Sequence, residues 1–580
     1  MIRKYAVALV AITILLLCCR PAGTSAQTDI TLADIVPRST LFYAGTDDFP
    51  ACFGKASDCS LMRILNSAQM KELMQASPES AGSYALFTET YAQIKSKMML
   101  ASTFLEGPAA LAVTDVEKGP AMVMWFALKD NTDPLAFTAA SKIEKFIEGK
   151  LEASGTKLNA RTVQLAGVPA RIVALGDLAS DEDALCYAAH SGNFFISLGR
   201  STLENTLNSL DAPPLDSLRQ FQSYSSAKNR NSEFDFFWFF NFSYYHYLAP
   251  GNGQNMDPMT MFATDMAPYV DSIAGGVSVK PEDGAVVERA DVNFLTENTG
   301  YFPFKLFSDE PCSYEAAKFF PTETISTIFA NLNTTAIRDD FLFGDPRLVQ
   351  MLDPMLQQNG LSRHLIASAL SGEIAMYSGI DDDGQDGVFA ARIGDENAMK
   401  RLINAVLGNF NEDDIMTSRY KDVDIHVMKG AAPGLHTAMC IYNGYLLSGM
   451  HDSVKRAMDR GENNLYQSEK FREMRKKMEL DGSQFFLNFD VPAMVNSPLM
   501  DTFKKGFASG FSATSGMTPP DISKELVEMV TPQTVSFARA KGRATLKSSG
   551  IFNFISFIAF AMVMAKGEQA AAANPAATPF

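Results

Sequence analysis

Cysteine, tryptophan and histidine are scarce in this chain: 7, 2 and 6 residues among 580. So thin a scatter of cysteine excludes a disulfide scaffold, in which bridges replace a core. None of His190, His246, His364, His426, His436 and His451 stands in a His-x-x-x-His or His-Glu-x-x-His spacing, so no zinc signature is present. Also missing are the Gly-x-Ser-x-Gly elbow, a phosphate-cradling glycine loop followed by Lys-Ser/Thr, and the dinucleotide fingerprint. Basic charge is short as well. With 50 Lys and Arg against 66 Asp and Glu, the formal charge of -16 argues against nucleic acid as a partner. What is plentiful is core material: 47% of residues are hydrophobic and 11% aromatic, over a length that predicts more than one domain.

The first residues read as an export signal. Arg3 and Lys4 precede an apolar run from Ala6 to Cys19, and Thr24-Ser25-Ala26 supplies the small side chains that a signal peptidase accepts. Residues 1–26 are therefore expected to be a signal peptide, cleaved after Ala26, which places the protein outside the cytoplasm, in the periplasm or cell envelope or secreted. A lipoprotein, cleaved before Cys18 or Cys19, is the rival reading; it puts Leu17 or Cys18 where a small residue is normally needed. Of the cysteines beyond the signal, Cys52 and Cys59 flank a short loop and are the pair whose spacing invites a disulfide in an oxidising compartment.

The same order of apolar runs and turns occurs twice. Pro37, Thr40 and Leu41 match Pro321, Thr324 and Ile325, at an offset of 284. Leu105-Glu106-Gly107-Pro108-Ala109 answers Leu370-Ser371-Gly372-Glu373-Ile374 at 265, as Leu128 and Asp130 answer Ile393 and Asp395. Further on, Leu165 to Val168 pairs with Tyr420 to Val423, Cys186 with Cys440, Phe194 to Ser197 with Tyr445 to Ser448, Phe221 with Phe471, and Phe239 to Phe242 with Phe486 to Phe489.

Within each half, Met122 to Leu128, Arg171 to Ala174, Ala184 to Tyr187 and Asn193 to Leu198 read as strands. Ala139, Ile143, Phe146 and Ile147, and later Leu402, Ala405 and Val406, recur at helical spacing. Short breaks at Ala166-Gly167, Ser191-Gly192-Asn193 and Tyr442-Asn443-Gly444 favour hairpins over helical crossovers. The expected fold is α+β: two tandem copies of a module with a largely antiparallel sheet, covered by helices on one face. The expected domains are 27–300 for the first copy, 301–320 for a connector and 321–547 for the second copy. An apolar C-terminal helix over 548–566 and a disordered tail over 567–580 follow.

The signal peptide, Asp34-Ile35-Val36-Pro37 leading into a Thr-Leu-Phe-Tyr strand, the segment Ser60 to Leu65, and a repeated Leu-x-Gly-x-x-Ala strand opening resemble a bacterial family of exported proteins of unknown function. The resemblance implies a duplicated α+β domain outside the cytoplasm. It carries over no catalytic residue and no cofactor.

Four features stand out as candidate sites. Asp381, Asp383 and Asp386 lie in an acidic Gly-bearing loop that is a weak calcium candidate; the Asp-x-Asp-x-Asp-Gly alternation is not met, and a hairpin turn is needed at the same place. Phe234 to Tyr245 reads as a buried central strand, but with Trp238 and Tyr244 exposed it would form an aromatic groove for a sugar or lipid. Cys186 and His190, four apart, are too far apart along a strand to act as thiol and base, so Cys186 reads as a buried structural thiol. Ser548 to Ala565 carries no charge and as a helix is about 27 Å long, against ~30 Å for a hydrocarbon core. That segment reads equally as a docked helix and as a membrane-associated one.

Together these features predict an exported, non-catalytic binding or scaffold protein of the cell envelope, with a protein, glycan or lipid partner, no cofactor and no nucleic acid. Two alternatives stand beside it. One is a carrier of lipid or another hydrophobic ligand. The other is a hydrolase with dispersed active-site residues, for which Asp381 to Asp386 and His426 are first suspects.

Overall fold

Two-residue turns with both residues left-handed punctuate the chain. Ala166-Gly167, Ser191-Gly192, Lys421-Asp422 and Asn443-Gly444 all have positive φ, the geometry whose twist matches that of two antiparallel strands. The computed structural model describes residues 30–75, 84–85, 88–89, 91–92, 105–114, 121–129, 132–138, 140–141, 144, 158–175, 180–244, 266–296, 302–339, 353–381, 384–429, 436–495, 527 and 529–551. The expected signal peptide, the tail 567–580, most of the helical stretch at 139–147 and of the loop at 249–268 lie outside the described residues.

The described residues fall into two units that divide after Leu295. The first contains β1 (Phe42–Thr46), β2 (Leu105–Thr114), β3 (Ala121–Leu128), β4 (Leu158–Leu165), β5 (Val168–Leu175), β6 (Leu185–His190), β7 (Asn193–Leu198), β8 (Phe236–Asn241), β9 (Val270–Val279) and β10 (Val286–Phe294). Their antiparallel pairings give the order β10-β9-β8-β1-β2-β3-β7-β6-β5-β4. The second unit contains β11 (Ser326–Asn331), β12 (Leu370–Asp381), β13 (Gly384–Ile393), β14 (Ile415–Tyr420), β15 (Val423–Lys429), β16 (His436–Tyr442), β17 (Tyr445–Met450), β18 (Phe485–Phe489), β19 (Gln533–Ala540) and β20 (Arg543–Gly550). Its order is β20-β19-β18-β11-β12-β13-β17-β16-β15-β14, also antiparallel throughout. The fold is α+β with a large antiparallel sheet.

Irregularities recur at corresponding places. Between Leu105 and Ala109 the β2–β3 register slips around Gly107, and between Leu370 and Ile374 the β12–β13 register slips around Gly372, each glycine at positive φ. Elsewhere the registers shift four of the sequence pairings, and the first is the match of Phe194 to Ser197, which moves by one residue because Ser197 lies opposite Val123 as Gly449 lies opposite Val388. Phe237 and Phe486 occupy corresponding places opposite Gly45 and Phe329, which moves the aromatic match by two residues. Cys186 lies opposite Ser197, whereas Cys440 lies opposite Leu447, so the position answering Cys186 is Ala438, opposite Gly449. Tyr224, packed edge-on against Phe237, takes the place that Phe471 takes beside Phe486.

Each sheet buries one face in its main core. In the first unit Trp125, Phe195, Phe237 and Phe239 pack under the helices Arg200–Asp211 and Gln222–Arg230, and the buried Trp125 indole donates to Asn193 Oδ1 at 2.7 Å. In the second, Phe329, Tyr377, Leu447 and Phe486 pack under His451–Asp459 and Glu469–Met478. The segment expected to be a connector belongs to this core: Cys312, Tyr314, Phe319 and Phe320 are buried in it, because these aromatics complete the apolar layer over β11.

Helices also cover part of the opposite face, where only one covered face was expected. Phe49, on the helix Phe49–Ser57, meets Phe126 of β3 at a ring separation of 5.6 Å. In the second unit Met399 and Ile403, from the helix Glu396–Leu407, pack on Met428 and Met439. That helix contains Leu402, Ala405 and Val406, as their spacing predicts. The expected C-terminal helix begins too early: Ser548 and Ser549 pair with β19, Gly550 ends β20, and residues 552–566 lie outside the described residues. Among the described residues no helix is long and apolar enough to cross a membrane.

Candidate functional site

Residues directly opposite one another in an antiparallel ladder point to the same face, so the registers define rows that cross a whole sheet. On the second sheet, the face away from the main core carries the row Val535, Leu487, Ile328, Met376 and Phe389. Leu487, Ile328 and Phe389 are half-buried and Met376 is 41% exposed. The corresponding row on the first sheet runs Trp238, Ala44, Leu111 and Met124, and every member is buried. The two rows hold equivalent sheet positions and differ in exposure.

Trp238, a candidate groove aromatic, therefore faces no groove. It is 3% exposed because its ring lies on Gly275 of β9, where a Cβ would meet the indole at 2.6 Å. Tyr244 is half-buried just beyond β8. Sequence alternation could not separate these fates, since the whole aromatic run is apolar on both faces.

The acidic turn resolves differently from a calcium loop. Asp381 pairs with Gly384 as β12 and β13 close their hairpin, and Asp383 lies outside the described residues. Asp386 turns inward and is 7% exposed. It accepts hydrogen bonds from Tyr377 Oη at 2.9 Å, Arg456 Nη2 at 2.9 Å and Arg460 Nη2 at 3.5 Å. Burial pushes its pKa up, but hydrogen bonds from Ser453, Arg456 and Tyr377 outweigh that and hold the carboxyl below its ordinary value. A carboxylate so engaged is an internal counter-ion, not a metal ligand. Among the described residues no three His, Cys, Asp or Glu side chains converge to hold a metal ion.

Above Asp386, the end of the helix His451–Asp459 and the turn after it line an open cavity of about 240 Å³ with Arg456, Asp459, Arg460 and Asn463. Asp459 is itself engaged by Lys421 Nζ at 2.5 Å and Tyr420 Oη at 2.6 Å. The sequence gives no sign of this cavity, because Asp386 and Arg456 are 70 residues apart.

The remaining candidates are structural in their surroundings. Cys52 and Cys59 are unbonded and buried, the first within the helix Phe49–Ser57 and the second capping Ser60–Leu65, so the expected bridge is not formed. Cys186 is buried, donates to the Ala184 carbonyl, and has its thiol pushed up to about 12, chiefly by burial. His426 is half-buried on β15, with Nδ1 at 3.4 Å from Thr417 Oγ1.

No family model matches the sequence, and no curated protein matches it. Among solved structures the chain is similar to one described as crystal form III of TP0453, at 8% identity, covering 48% of this chain and 85% of that one, with a TM-score of 0.25. A likeness at that score carries no argument about fold or function.

Proposed function

We propose that the protein is an exported, non-catalytic binding or scaffold protein of the cell envelope, built from one α+β module copied in tandem. The shared strand order and the paired bulges at Gly107 and Gly372 support the duplication. The observation that carries the binding role is Met376, 41% exposed in a half-buried apolar row of the second sheet where the first sheet buries its equivalent. Apolar surface exposed on a sheet face is costly in water and is retained where something covers it in use. Asp386, one of the suspects for hydrolysis beside the rest of Asp381 to Asp386 and His426, is neutralised by arginines, which supports a structural duty for the acidic turn.

Cell fractionation tests this reading. The chain is expected outside the cytoplasm with Gln27 as its first residue. Recovery of an uncleaved chain in the cytoplasm would rule the reading out. The same row favours one second reading, carriage of a hydrophobic ligand. Solvent extraction of protein purified without detergent separates the two: a lipid at one per chain supports carriage, and none supports a partner-binding surface.

A further inference from the structure

Arginine cannot shed its proton in a protein, so a guanidinium taken partly out of water must be met by an anion or hydrogen-bond acceptor. Arg456 and Arg460 share one carboxylate, Asp386, and Asp459 beside them is already paired with Lys421. Counting Arg456, Arg460 and Lys421 against Asp386 and Asp459 leaves one positive charge over. The weaker engagement is that of Arg460: it reaches Asp386 by one long contact of 3.5 Å, whereas Arg456 donates to Asp386 at 2.9 Å and to Ser453 Oγ at 3.2 Å. A guanidinium held by so long a contact gains from a closer acceptor at its Nη2 edge. This arginine forms a wall of the cavity of about 240 Å³ that also presents Asn463, a side chain able to donate from its amide.

We propose that this cavity binds a small, free oxyanion, inorganic phosphate or a carboxylate, through the Arg460 guanidinium. Two oxygens on one centre match the planar fork of an arginine, which a spherical ion such as chloride cannot do. Asp386 then sets the affinity from below as the competing internal counter-ion, and Asp459, held by Lys421, leaves a single charge to be met. The site deepens the reading of the protein as a binder and rests on that reading.

Phosphorus NMR of inorganic phosphate added to the full chain, with chloride making up constant ionic strength, provides the test. Saturable line broadening is expected, weakened at least tenfold in Arg460→Gln. Asp386→Asn removes the counter-ion of both guanidiniums and is expected to tighten binding several-fold; weaker binding in that variant overturns the site. Broadening that fails to saturate, or that Arg460→Gln leaves unchanged, overturns the site. Release of nitrophenolate from nitrophenyl phosphate by the same samples would instead overturn the non-catalytic reading and leave the anion site in place.

Discussion

Tyr377 and Asp386 stand on adjacent strands, β12 and β13, and the tyrosine hydroxyl donates to one carboxylate oxygen at 2.9 Å while Arg456 donates to the other at the same distance. The pair anchors the acidic hairpin to the helix above it. Replacing Asp386 by Ala strands two guanidiniums in a half-buried setting, and breaking such a buried pair costs about 3–5 kcal/mol. Urea unfolding of the variant should show that loss. Because the folded carboxyl titrates below its unfolded value, the stability it contributes is fully present above the unfolded value near 4 and disappears as the pH falls through the depressed folded value. In Asp386→Asn this part of the acid transition should be absent.

Gly107 and Gly372 occupy the same place in the two bulges but have different surroundings. At Gly372, φ is +110° and a Cβ would collide with the Leu332 carbonyl oxygen; at Gly107, φ is +78° and a Cβ would meet only Ala127, at 4.0 Å. Strained backbone alone costs of order 1–3 kcal/mol. Gly372→Ala should therefore destabilise more than Gly107→Ala, read as the difference in urea midpoints.

Gly275 makes room for the Trp238 indole and for the Arg289 carbonyl, which a Cβ would meet at 2.5 Å. Gly275→Ala should cost about 1–3 kcal/mol by overpacking. It should also shift tryptophan fluorescence to the red as the ring is displaced toward water.

Cys52, Cys59, Cys186, Cys312 and Cys440 are all buried and unbonded, and burial pushes Cys52, Cys186 and Cys440 up to about 12. Native protein at pH 8 should resist a disulfide-exchange reagent, since so little thiolate is present. In denaturant without reductant, all five thiols should react. Three would mean that Cys52 and Cys59 are bridged.

The hairpins were legible because their turns need residues that tolerate positive φ, and Ala166-Gly167, Ser191-Gly192 and Asn443-Gly444 announce them. The errors of register have more than one physical source. A strand repeats its faces every two residues, so sliding Phe239 or Cys186 by two keeps every side chain on its side and leaves no trace in the pattern. A helix brings i and i+3 to one face, so Phe221 and Tyr224 were equally good partners for Phe471. Only the ladder hydrogen bonds and ring contacts decide. The arginine cavity was hidden for another reason: its charges meet through the fold, and no local spacing joins Asp386 to Arg456.

The most direct measurement of the binding role places a photo-crosslinking residue at position 376 and, as a control, at position 111, its buried equivalent on the first sheet. Irradiation of intact cells should yield discrete adducts with envelope components from position 376 and none from position 111. A chain that gives no adduct from position 376 contradicts the account.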